Sequence, residues 1–123
     1  MVVPLQTTLG SPVAIAGTAG LFALFLSATA HIAARNVLGD VAVRNAFGVG
    51  PLPAGVAVLS TAFDVSAALA LPVALALDAA AVKYLYGRSW RLTAYIVVIH
   101  VVVSIILGAL VFSLLALWQS APG

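Results

Sequence analysis

No cysteine occurs in this 123-residue sequence, and only 7% of its residues are charged. The missing thiol excludes disulfides, iron–sulfur clusters, thiolate metal sites and thiol nucleophiles. The scarcity of charge is the stronger restriction. An average soluble domain carries roughly 25% charged residues. Five basic and three acidic side chains cannot coat a folded chain of this size with a polar surface. The net charge of +2 does not mark a nucleic-acid partner either, because five cations form no patch or stripe. Catalytic signatures are also missing: the sequence has no phosphate-binding glycine loop, no GxSxG, no HExxH and no potassium filter. Serine, histidine and aspartate are present, but no spacing singles out a triad. No catalytic residue is assigned, and the chain is expected not to be an enzyme.

What the sequence does contain is hydrophobic residues, at 64%, with a mean hydropathy of +1.24. Lipid is the solvent that tolerates this composition. The expected fold class is all-α: an integral membrane four-helix bundle, forming a single transmembrane domain over 1–123. The bilayer is then its first partner, and a multi-pass place in the cell membrane its expected location. The N-terminal run MVVPLQTTLGSP has no lysine or arginine, so it lacks the basic region of a secretory signal. The first apolar stretch is therefore read as a retained helix.

Four spans are expected, at about 12–34, 46–63, 65–86 and 91–118. Ser11 followed by Pro12 is a helix start, the hydroxyl capping free amides and proline suiting the first turn. In the first span small residues recur four apart, at Ala16 and Gly20 and at Ala19, Ala23 and Ser27, a spacing that lets a second helix approach closely. Arg35 to Gly50 is the most polar stretch and reads as a loop with a short surface helix. The segment Pro51–Phe63 is only about 20 Å of helix against a hydrocarbon core of about 30 Å. The second helix is therefore expected to be short, or to begin near Asn45 and break at Gly48–Pro53. Asp64 is expected to cap the third span, Pro72 to interrupt it, Gly87 to end it, and Ser89 to cap the fourth.

Charge placement favours four spans over three. The basic residues lie in two places, Arg35 and Arg44 after the first span, and Lys83, Arg88 and Arg91 between the third and fourth. Four crossings put both groups on one face, as the positive-inside rule prefers, with both termini extracytoplasmic. Tyr84, Tyr86, Trp90 and Tyr95 then cluster at the cytoplasmic interface, and Trp118 at the other.

Ionisable groups within spans carry most of the functional signal. Asp78 falls roughly 8–12 Å inside the cytoplasmic boundary, and His100 about 13 Å inside it, from the rise per helical residue. On depth alone the two can meet across neighbouring helices. Such a pair either relays protons, since histidine titrates near neutrality, or is static and fixes helix register. Both are candidate ion- or proton-binding residues. Near the boundary, His31, Arg35, Asp40 and Arg44 are candidate interfacial or docking residues. His31 and His100 lie at different depths, which disfavours a bis-histidine haem. Zinc would have only His31, His100 and Asp78 to bind it. No metal and no cofactor is expected.

The stretch HIAARNVLGDVAVRNAFGVGPLPA, His31 to Ala54, resembles a segment of small four-helix integral membrane proteins of halophilic archaea with no assigned function. The resemblance covers about a fifth of the chain and implies a helical membrane protein in the cell membrane. By size and span count the chain is also similar to small multidrug-resistance transporters. It departs from them where their essential glutamate lies in the first helix, because it has no acidic residue before Asp40.

The first functional expectation is a non-enzymatic helix-packing subunit of a homo-oligomer or of a larger membrane complex. The alternative is a small proton- or cation-coupled transporter or channel using Asp78 with His100. A bis-histidine haem protein is the lesser alternative.

Overall fold

The structure, a computed structural model, describes residues 11–122. Residues 1–10, which hold most of the N-terminal run discussed above, and Gly123 lie outside the described residues.

Helix boundaries follow from local chemistry. The Ser11 hydroxyl accepts the Ala14 amide at 3.4 Å, and Pro12 opens α1 (Pro12–Leu38). α1 continues through Arg35 and Asn36 and stops at Gly39, whose φ of +86 is open to glycine. Most of Arg35–Gly50 is therefore helical rather than loop. Only residues 39–42 separate α1 from α2 (Val43–Val49). Exposed polar side chains do not end a helix, and a cation such as Arg35 is favoured in a last turn by the helix dipole.

α2 and α3 (Pro51–Ala62) follow end to end, with Gly50 between them in right-handed helical conformation (φ −57°, ψ −42°). The Gly50 amide still bonds the Ala46 carbonyl at 3.0 Å. The second helix thus begins at Val43, before the expected 46. Its interruption is confined to Gly50 and the two prolines, which have no amide to donate. The run from Val43 to Ala62, 7 and 12 residues with Gly50 between, is about 30 Å long.

α4 (Ala67–Tyr86) begins behind Ser66, not Asp64. Asp64 sits in the preceding turn at φ +57°, a left-handed position that aspartate tolerates better than most residues. Pro72 is held inside α4, and Gly87 ends the helix in the left-handed conformation. Ser89 accepts the Leu92 amide at 3.3 Å and opens α5 (Trp90–Ser120), 31 residues long. At this turn Lys83 lies 5.3 Å from the Trp90 ring centre and Arg91 5.9 Å from that of Tyr95, cation–π distances.

Among the described residues the chain is all-helical, without strands. α1, α4 and α5 are each long and apolar enough to cross a membrane. α1 packs on α2, α3 and α5, while α4 packs on α2, α3 and α5, so the helices close a ring with α1 and α4 on its diagonal.

Burial is confined to one end of that ring. Ala30, Ala33, Ala34, Ala46, Val49, Ala81, Val82 and Ile96 form the core. No residue of 11–25, 55–77 or 101–122 is buried. The packed end is tied by the connections at 39–42 and 87–89, and all five basic residues adjoin them. A close crossing lies between Gly50 and Ser27, where a β-carbon on Gly50 would lie 2.7 Å from Ser27 Cα. The small residues of α1 thus divide. Ser27 is buried in this crossing, Ala19 and Ala23 are half-buried, and Ala16 and Gly20 are exposed.

Candidate functional site

Each helix presents one inward face at the packed end. On α4, Asp78 precedes the buried Ala81 and Val82 by three and four positions, and on α5 His100 follows Thr93 and Ile96 by seven and four. These spacings place each ionisable side chain on its helix's core stripe. The structure brings the two together, with His100 Nδ1 2.9 Å from Asp78 Oδ2. Both residues are 3% exposed.

The other side of the imidazole is also engaged. His100 Nε2 lies 3.0 Å from the Leu26 carbonyl and 3.0 Å from Thr29 Oγ1. The Thr29 hydroxyl donates to that same carbonyl at 3.0 Å and accepts from Ser104 at 2.9 Å. A carbonyl oxygen only accepts, so the Leu26 contact is a hydrogen bond when Nε2 carries a proton, whereas the Thr29 hydroxyl can accept from Nε2 or donate to it. With that proton on Nε2, the 2.9 Å contact of Nδ1 with Oδ2 needs a second one between them. Whether it is drawn as imidazolium–carboxylate or imidazole–carboxylic acid, the pair is neutral overall, as a buried site in apolar surroundings demands. One valence stays open: Asp78 Oδ1 is buried and has no hydrogen-bond partner.

Above the pair lies a cleft of about 630 Å³ between α1, α3, α4 and α5. Its walls are apolar, with Phe22, Phe25, Leu71, Leu75, Ile105 and Phe112 among them, and Asp78, His100 and Ser104 line its inner end. That volume lies within the range of small-molecule sites, roughly 300–1,000 Å³.

The remaining candidates stay apart from this site. His31 is half-buried on α1, with Nδ1 unpartnered. Arg35, Asp40 and Arg44 are exposed. Among the described residues His100–Asp78 is the one ion-pair contact, and no group of three or more histidine, aspartate or glutamate side chains is spaced to hold a metal. Both ring nitrogens of His100 face oxygen atoms, so a haem iron would have to break those contacts. Sequence reasoning missed Thr29, Ser104 and the Leu26 carbonyl. Ser104 was detectable, lying one turn beyond His100 on the same face. Thr29 had no such signal, because its role depends on which face of α1 meets α5.

Fold and site together define a small helical bundle with an apolar exterior and a buried acid–imidazole pair at the inner end of an apolar cleft. The chain belongs to DUF7473, a family of unknown function whose model matches residues 9–122. No curated protein and no solved structure matches it.

Proposed function

We propose that this chain is a multi-pass cell-membrane protein, crossing the bilayer four times with both termini extracytoplasmic, and that it acts as a small proton- or cation-coupled transporter or channel. Asp78 is its ion-binding group and His100 its proton-sharing partner. The apolar exterior and the gathering of every basic residue at one end support the membrane placement. The likeness of His31–Ala54 to membrane proteins of halophilic archaea supports it too.

The observation that carries the function is the open valence of Asp78. A pair that only fixed register would satisfy both carboxylate oxygens, whereas here Oδ1 is buried and unpaired beside a cleft. Intramembrane carboxylates with this character mark ion pathways. The test is dissipation of an imposed pH gradient by the protein in liposomes carrying an internal pH dye. Asp78→Asn should lower the rate roughly tenfold or more, the size of effect that loss of a proton-carrying group gives. Equal rates would remove Asp78 from the function. Labelling from either side of the membrane should find positions 35 and 88 on the same face.

A second reading has one observation in its favour. The last turns of α5, including Leu114, Leu117 and Trp118, are exposed. A helix-packing subunit would cover them with a second copy, and native mass spectrometry from mild detergent distinguishes that dimer from a monomer.

A further inference from the structure

The cleft is selective in a way that its volume does not reveal, because its side-chain donors are already spent. Ser60 and Thr61 both donate to the Ala57 carbonyl, at 3.0 and 2.9 Å. Ser104 donates to Thr29, and both nitrogens of His100 are occupied. Among the described residues no lysine, arginine, asparagine, glutamine, tryptophan or tyrosine lines the space. What remains are acceptors: Asp78 Oδ1 and spare lone pairs on the hydroxyls. Free amides in the first turn of α4 lie at the outer mouth, eleven residues from Asp78 and about 16 Å away along the helix. The inner end therefore repels carboxylates and phosphates and suits a head group that donates.

We propose that the cleft binds a lipophilic ammonium compound, its apolar body between Phe22, Phe25 and Phe112 and its N–H⁺ head on Asp78 Oδ1, in exchange for the proton shared by Asp78 and His100. This proposal rests on the reading of that pair as a proton-binding site. The exchange follows from charge. The pair is neutral with its shared proton, and a cation added to it would leave a net positive charge in apolar surroundings. One proton therefore leaves to solvent as one ammonium enters, and the site stays neutral.

The hydrogen bonds around His100 can follow this change through the Thr29 hydroxyl, as the ring eases away from the Leu26 carbonyl. When the imidazole becomes neutral, its remaining proton moves to Nδ1 and faces the Asp78 carboxylate, leaving a lone pair on Nε2. The Thr29 hydroxyl, now donating to the Leu26 carbonyl at 3.0 Å, turns to donate to Nε2, also at 3.0 Å. Ser104 continues to donate to Thr29 in both states. No other charged group makes an ion pair with these residues. On the packed elements, Lys83 bonds the Arg88 carbonyl and Arg91 the Tyr95 hydroxyl. His31, Arg35 and Arg44 make no contact with the pair, α3 carries no titratable residue, and Tyr84 is exposed. Tyr86 OH has no hydrogen-bond partner.

The test uses the full chain in lipid nanodiscs with 1-naphthylmethylammonium as probe and 1-naphthoate as comparator. Calorimetry in two buffers of different ionisation enthalpy reads affinity and proton release together. The expected result is saturable amine binding with release of about one proton per amine, and no saturable binding of naphthoate. Asp78→Asn should weaken the amine roughly tenfold or more. Gly108→Leu guards against a folding artefact. Gly108 lines the cleft, and a β-carbon there meets only Phe25 Cζ at 3.9 Å. The longer side chain should abolish amine binding while leaving the titration of His100, followed by ring-nitrogen NMR, as in the parent. Equal binding of naphthoate, amine binding untouched by either variant, or binding without proton release overturns the proposal. If His100 and Asp78 exchange protons with solvent but no amine binds, this inference alone fails. If the pair never changes protonation while the protein stays folded, the reading beneath it fails as well.

Discussion

The two ends of the bundle are built from the same kinds of residue but differ in what those residues meet. At the packed end, alanine, glycine and serine let the helices approach until the Gly50 and Ser27 backbones nearly touch. At the open end, Gly17, Gly20 and Gly55 have nothing within 4 Å of the position a β-carbon would take. Small residues therefore make a helix interface only where their stripes face each other. The titratable pair sits on the boundary between the ends. It is buried by the packed half yet borders the cleft left by the arms, and this is why one carboxylate oxygen is satisfied and the other is not.

Substitutions can break this contrast, and the largest effect is expected at the boundary itself. Asp78→Ala strips His100 Nδ1 of its partner inside the bundle. Stability should fall by about 3–5 kcal/mol, as when one member of a buried pair is removed, measured by unfolding in mixed micelles. Replacing both Asp78 and His100 with leucine should recover much of that loss. If the single and double changes cost the same, the pair is not coupled. Next in size is Gly50→Ala, where the new methyl group meets backbone that cannot move aside; about 2 kcal/mol or more is expected for such overpacking. Thr29→Val removes an acceptor from both Ser104 and His100 and should cost about 1 kcal/mol for the lost hydrogen bonding. The same change should suppress proton release on amine binding, since nothing then donates to Nε2. Thr29→Ser should restore the release. The smallest effect belongs to the open end. Gly20→Ala should lie within about 0.5 kcal/mol of the parent and on the stabilising side, since alanine is the better helix former and has free space there. A large loss at Gly20 would show that the arms have a partner.

Much of this was legible in the sequence because the informative signals were local. Ser11–Pro12, Gly87 and Ser89 mark helix ends by their own chemistry, and the structure uses them so. The depth match of Asp78 and His100 needed only the rise per residue and the positions of nearby cations. What was not legible depended on choices among equivalents. Asp64 and Ser66 are both good capping types, and only the backbone, at φ +57° for Asp64, shows which one precedes the helix. Arg35 and Asn36 look like loop residues, but their exposure on the last turns of α1 removes any reason to stop there. The chain turns at Gly39 instead. The interruption of the second helix was expected from its prolines. Its narrowness was not, because a glycine with helical dihedrals carries no mark in sequence.

Among the described residues the buried side chains are confined to one end, and this has a mechanical consequence. The turn at 63–66 joins α3 to α4 at the open end, so among the described residues only the ends of α1 and α5 lack a connection there. For a chain placed in the bilayer as proposed, the position of those ends answers to the lateral pressure of the surrounding acyl chains. α5, about 46 Å long at its 31 residues, is longer than a hydrocarbon layer of about 30 Å, so on the proposed placement thicker membranes would cover more of it. On that placement the width of the cleft would depend on the lipid as well as on the chain.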